Sequence, residues 1–246
     1  MKKIILSVFV LAGLMFTSCK DDDNNGTEEE TVDVSKMYLP LKMTGDGYTT
    51  TFTYNNKAQV TKIVESDGSE YSFTYSGDQL VEFVEKYNTS KTTYTFSQEG
   101  NIITLNAVNE YDGETSTNTG TLEVDEKGNL VNDGYFTYIY DTAGNNIKIL
   151  VDEDSEAILT FDTKNGIFKN LNLPKWVSNW MLSYNTYLVN NALTFSFVSE
   201  EDPEDNNSGT MAYEYNTDGY PVKASFSSTD ESGTETETVI IEYTKK

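Results

Sequence analysis

The chain has 246 residues, 17 Lys plus Arg against 40 Asp plus Glu, a formal charge of -23 and no His. Every basic residue is Lys, which excludes imidazole acid–base chemistry, His metal sites and Arg clamps on phosphate; the acidic balance argues against a nucleic-acid partner. The single Cys, Cys19, excludes an intrachain disulfide framework.

Residues 1–18 predict a secretory signal. Lys2 and Lys3 precede an apolar run from Ile4 to Phe16, too short to span a bilayer but suited to a signal core. Cys19 follows the small residues Thr17 and Ser18, so the segment resembles a lipoprotein signal, with Cys19 as the acylated new N-terminus. An ordinary secretory signal with a coincidental Cys is the alternative. Residues 19–36 are polar and acidic, and predict a disordered tether that stands off from anionic membrane surfaces. The expected mature protein therefore meets the membrane through its lipid anchor alone, at the outer membrane.

From Met37 the composition becomes that of strands and turns, and residues 37–246 predict one β-domain. Tyr48 to Tyr54 alternates an aromatic face with a Thr face, and Phe136 to Tyr140, Leu193 to Phe197 and Val239 to Tyr243 repeat the alternation. A unit of aromatic-x-aromatic, polar turn and apolar strand recurs, ending at Tyr54, Tyr75, Phe96, Val124, Tyr140, Phe161 and Tyr215. In the sixth unit the turn DTKNG leads to an apolar strand at Ile167. The 21-residue spacing from Tyr54 to Tyr75 and from Tyr75 to Phe96 fits one hairpin per unit. The expected fold is all-β: an antiparallel up-and-down meander of about ten to fourteen strands, strongly coiled or barrel-like around its aromatic face. Residues such as Lys62 and Glu65, or Glu82 and Glu85, are assigned to the outer face, which argues against insertion in lipid. Residues 173–183 break the pattern. Pro174 and the spacing of Trp176, Val177, Trp180 and Met181 predict one short amphipathic helix. Residues 200–209 read as an acidic loop.

No catalytic constellation stands out, and no metal or cofactor is expected. A carboxylate-dependent glycoside hydrolase remains the alternative to a binding module, since that chemistry needs only two acids. The acidic runs at 152–156 and 202–206 lack the glycine of a calcium loop. Trp176 and Trp180 have two readings: the buried stripe of the helix, or a platform that stacks on sugar rings. The expected ligand of a binding module is a glycan, host material or a protein partner of an uptake system.

Tyr140–Asn145 and Tyr215–Gly219 resemble YD-type repeats. The lipoprotein signal, the Lys20–Asp23 tract, the hairpin units and Asn165–Asn170 ahead of the helix resemble a Bacteroidetes-type lipoprotein family of unknown function. That resemblance implies a porin-like β-fold and surface export, and it brings no catalytic residue.

Overall fold

The computed structural model describes residues 32–182, 188–201, 203, 206–230 and 233–245. The signal segment, Cys19, most of the tether and the side chain of Met181 lie outside the described residues. Sixteen strands close into one antiparallel up-and-down barrel. They are β1 (Pro40–Gly45), β2 (Tyr48–Tyr54), β3 (Val60–Glu65), β4 (Glu70–Ser76), β5 (Gln79–Tyr87), β6 (Ser90–Glu99), β7 (Ile102–Tyr111) and β8 (Glu114–Val124). There follow β9 (Leu130–Asn132), β10 (Thr137–Tyr140), β11 (Asn146–Leu150), β12 (Ser155–Phe161), β13 (Ala192–Ser199), β14 (Asn207–Tyr215), β15 (Pro221–Asp230) and β16 (Gly233–Tyr243). Pairing of Met43 with Ile241 in β1 and β16 closes the ring.

The polar turns at one end follow a single design. Asn55, Asp125, Asp141 and Asn216 each accept backbone N–H groups from their own turn, and each N–H bonds the carbonyl four residues on, at 2.9–3.0 Å. A short polar side chain thereby fixes the turn, and its partner at Gln59, Asn129 or Asn145 locks it side chain to side chain. A one-residue bulge precedes Tyr54, Tyr75 and Tyr140 in the ladder. The tyrosine hydroxyls cap backbone carbonyls of the preceding strand: Tyr54 on Pro40 (2.5 Å), Tyr75 on Val60 (2.9 Å), Tyr140 on Leu130 (2.7 Å), Tyr213 on Ala192 (2.7 Å) and Tyr243 on Pro221 (2.9 Å). The recurring aromatic unit is thus a device that satisfies carbonyls exposed at strand starts.

The sixth turn is split. Asp162 and Asn191 make the same closure as Asp125 and Asn129: Asp162 N–H to the Asn191 carbonyl at 2.9 Å, and Asn191 N–H and Nδ2 to the Asp162 carboxylate at 3.0 and 3.1 Å. Residues 163–190 are inserted between them. A sixteen-strand barrel is wider than side chains alone can fill. The insertion fills one end of it with Ile167, Phe168 and the two-turn helix α1 (Trp176–Leu182). Phe168 packs on Phe52, and Trp176 on Phe96.

Outward positions carry mainly Thr, Ser, Lys and Glu. Cross-strand ion pairs Lys42–Glu242, Lys62–Glu70, Lys91–Glu110, Lys148–Glu156 and Lys223–Glu214 lie on this wall. A lipid-facing barrel needs an apolar outer band; here paired charges and hydroxyls alternate with scattered exposed apolar residues such as Leu41, Ile158 and Ile240.

Five details correct the sequence reading. Strands number sixteen because β1 and β16 add to the seven hairpin units. Ile167 begins no strand; it is a buried residue of the insertion, and Ala192 starts the true partner of β12. Leu193 points outward, because a bulge against Phe161 turns Ala192 inward instead. Glu65 and Glu85 face inward: each lies two residues from a core residue, Ile63 or Phe83, in a regular strand. The last residues of the expected tether are ordered, with Val34–Lys36 forming a 3-10 turn capped by Asp33.

Candidate functional site

At the end opposite the insertion, strands β5–β8 and β14–β16 run longer than their neighbours and raise the inner wall into a cup. Ladder pairing sets the inner face of β5–β8 in rows. Tyr87, Ser90, Tyr111 and Glu114 form the rim row. Glu85, Thr92, Asn109 and Ser116 form the next, then Phe83, Tyr94, Ala107 and Asn118. From Tyr87 down to Phe83 is about 14 Å at the strand rise. The wall changes character with depth, from rings and small polar groups at the rim to a ring-packed floor. On that floor Trp180 meets Tyr94 edge-on at 5.3 Å and Phe96 at 5.6 Å.

Inward-facing side chains in the cup keep contact with solvent. Ser116 and Asn118 are exposed, and Glu85, Thr92, Tyr94 and Asn109 are half-buried. Tyr87 and Tyr111 are 47% and 63% exposed, two strands apart and so about 10 Å from one another. On the opposite wall Phe195 stacks with Phe226 at 6.2 Å beside Gly209, where a Cβ would stand 2.9 Å from both rings.

Two carboxylates lie on the inner face of the barrel, Glu65 at the end of β3 and Glu85 in β5. Glu65 is 3% exposed, and its Oε2 accepts the Tyr71 hydroxyl at 3.1 Å. Burial pushes its carboxyl above the usual range, against the lowering effect of the Tyr48 and Tyr71 hydroxyls, with Asp67 and Glu85 adding to the rise. Among the described residues, Glu65 Oε1 and the Tyr48 hydroxyl have no aligned hydrogen-bond partner. Glu85 is paired with Tyr71 across the ladder, and burial pushes its pKa up as well. Burial, then Asp46 and Glu235, raises Glu237 on the far wall.

Of the two tryptophans read as a sugar platform or a core stripe, Trp176 is buried and turned 52° from Trp180. It offers no face to a ligand, while Trp180 is half-buried at the cup floor. Cys19, the expected lipid anchor, lies outside the described residues. Among them no group of three or more acidic or Cys side chains is arranged to hold a metal ion. The acidic run at 152–156 is a turn leading into β12, in which Asp152 accepts the Asp154 N–H at 2.9 Å. Tyr87, Tyr111 and Glu85 were missed by sequence reasoning. Counting alternate residues from Phe83 would have placed Glu85 and Tyr87 on its face.

The comparisons yield a likeness of shape. The chain is similar to a porin-like protein from Bacteroides vulgatus ATCC 8482, at 10% identity and TM-score 0.42, over 84% of this chain and 99% of that one. It is also similar to a porin-like protein from Bacteroides uniformis ATCC 8492, at 13% identity and TM-score 0.42, over 87% and 100%. No protein-family profile matches the sequence, and a search of curated proteins gives no match.

A second hollow of about 370 Å³ lies on the outside, between the tips of the β8–β9 and β10–β11 hairpins and Lys175. Its carboxylates, Asp125 and Asp141, are already engaged in their turns. The cup is the better site.

Proposed function

We propose that this protein is a non-catalytic binding module, held at the outer membrane by acylated Cys19, whose cup takes up a ligand from outside the cell's inner membrane. One observation carries the reading: side chains that face the inside of a closed barrel remain open to solvent at one end, over a ring-packed floor. Exposed rings among small polar groups are the composition of a recognition surface rather than of a core. The test is a ligand screen by thermal shift on the purified protein, followed by the Tyr87→Ala, Tyr111→Ala double variant. A ligand whose shift survives that variant binds elsewhere, and the reading fails. For the anchor, Cys19→Ala is expected to abolish lipid labelling and detergent partitioning; unchanged partitioning refutes it.

A second reading has one observation in its favour. Glu65 and Glu85 are electrostatically coupled carboxyls with raised pKa values in a concave, aromatic setting, as a glycoside hydrolase requires. Against it, Glu65 is sealed from the cup, so only Glu85 can reach a substrate. Glycoside turnover lost in Glu85→Gln would restore the enzyme reading.

A further inference from the structure

We propose that the ligand of the cup is an extended polypeptide, uncharged across the contact, which adds to the free edge of β8 as an antiparallel strand and turns alternate side chains into the cup. This deepens the reading of the cup as the binding site and rests on it.

The argument begins with backbone hydrogen bonds. Strand β8 pairs with β7 from Glu114 to Glu123. Its other neighbour, β9, reaches only to Asn132, opposite Glu123. There the chain turns back, with the Asp133 N–H on the Phe136 carbonyl at 3.3 Å. Residues 114–122 of β8 therefore overhang β9 with no strand beside them. Asp112 and Gly113 have φ of 52° and 86°, the two positive values of a two-residue hairpin turn, so Tyr111 and Glu114 exchange both their bonds. The even-numbered residues of β8 then bond β7, and the Val124 N–H on the Asn101 carbonyl at 2.9 Å keeps that phase. The N–H and C=O groups of Thr115, Thr117, Thr119 and Thr121 point the other way, into the gap. Among the described residues no backbone group pairs with them.

This edge offers a donor and an acceptor every second residue, about 7 Å apart, over about 20 Å. A second extended backbone carries the complementary series, and a sugar chain does not. Strand edges open to water are normally guarded by charge, proline or a bulge. The run Thr115–Thr121 (TSTNTGT) has no charged residue and no Pro, and its register with β7 is regular. The comparable overhang, β16 beyond its pairing of Ile240 with Thr44 of β1, carries Glu235 and Glu237. In a chain of charge -23, the neutral edge selects a neutral occupant.

The edge is continuous with the cup. Ser116 and Asn118 face into it, and Gly120 lies in a row with Leu105 and Phe96. A Cβ at Gly120 would meet Leu105 side-chain carbons first, at 3.5–3.6 Å. An apolar side chain of the added strand opposite Gly120 covers Leu105 on that face. A second copy of this chain is the poorer occupant. Pairing β8 with β8 turns the second body end over end, and two copies held by acylated Cys19 at their packed bases then do not share one surface.

The probe is a capped, dye-labelled peptide of residues 102–111, the sequence that already pairs with β8 on its other side, with Ile103, Leu105 and Ala107 on one face. It is titrated with the full chain while its anisotropy is followed. The expected result is saturable binding, weakened at least tenfold by Thr119→Pro, which removes an N–H directed into the gap and leaves the β7 ladder whole. A thermal melt verifies that this variant folds. A second measurement needs no variant. N-methylation of the peptide at Thr104, Asn106 and Val108 should abolish binding, because those groups meet β8, whereas N-methylation at Ile103, Leu105 and Ala107 should not. Equal loss from both methylation patterns overturns the inference, as does the absence of peptide binding. If the peptide binds Thr119→Pro unchanged but fails to bind the Tyr87→Ala, Tyr111→Ala variant, strand addition fails while the cup reading stands. Sedimentation that shows a dimer dissolved by Thr119→Pro assigns the edge to a second copy and refutes the proposal.

Discussion

Trp176→Ala is the sharpest test of the idea that a wide barrel needs its insertion as core. Trp176 is 3% exposed and packs edge-on against Phe96 at 5.3 Å and against Trp180 at 6.1 Å. Truncating a fully buried tryptophan costs about 3–5 kcal/mol, because the transfer energy is lost and a cavity is left behind. For a domain of this size each kcal/mol moves the midpoint by about 2–4 °C, so the melting temperature should fall by roughly 6–20 °C. The control is Ile158→Ala, an outward residue that is 42% exposed, expected to change stability by less than about 0.5 kcal/mol. Urea unfolding followed by far-ultraviolet circular dichroism measures both. If Trp176→Ala unfolds within about 1 kcal/mol of the parent, which is below the cost of such a cavity, helix α1 is not wedged into the core.

Three further predictions concern the wall. Gly45→Ala would place a Cβ 2.4 Å from the Thr238 carbonyl oxygen, whereas Gly120→Ala meets only Leu105 side-chain carbons at 3.5–3.6 Å. The first should cost about 1–3 kcal/mol and the second nothing or less, as urea midpoints would reveal. Tyr54→Phe leaves the Pro40 carbonyl without its 2.5 Å hydroxyl partner and should cost about 1–3 kcal/mol, whereas Tyr111→Phe at the exposed rim should cost nothing measurable. Glu65→Gln tests linkage. The folded protein binds the Glu65 proton more tightly than the unfolded chain does, because burial raises its pKa above 4.5. That stabilising contribution is complete below pH 4.5 and is lost as pH rises through the higher folded value. Glutamine keeps an acceptor for the Tyr71 hydroxyl and cannot ionise. The variant should therefore gain stability relative to the parent at pH 7 and match it near pH 4, in melts across that range. A loss at pH 7 would contradict the burial argument.

Much of this barrel was legible in the sequence, for physical reasons. Strand alternation over Tyr48–Tyr54 and the 21-residue spacing report a backbone whose side chains alternate and whose hairpins repeat. The rest depended on departures from period two. Bulges before Tyr54 and Phe161 shift the phase, and so hid the inward turn of Glu65 and the outward turn of Leu193. The split turn hid the partner of Asp162, because Asn191 lies beyond an insertion whose first apolar residues imitate a strand. The cup was least visible. Its rim tyrosines stand next to turns, where an aromatic residue reads as the end of a strand, and only the ladder reveals that Tyr87 and Tyr111 flank Ser90 on one face.

The described chain begins at the packed end. Val32 N–H bonds the Asn56 carbonyl at 2.7 Å, and the Lys245 N–H bonds the Met37 carbonyl at 3.1 Å, so both termini leave beside the insertion. Were Cys19 the anchor proposed above, the body would hang from its packed base. The open end of the cup would then lie on the far side from the tether, where arriving molecules could enter it.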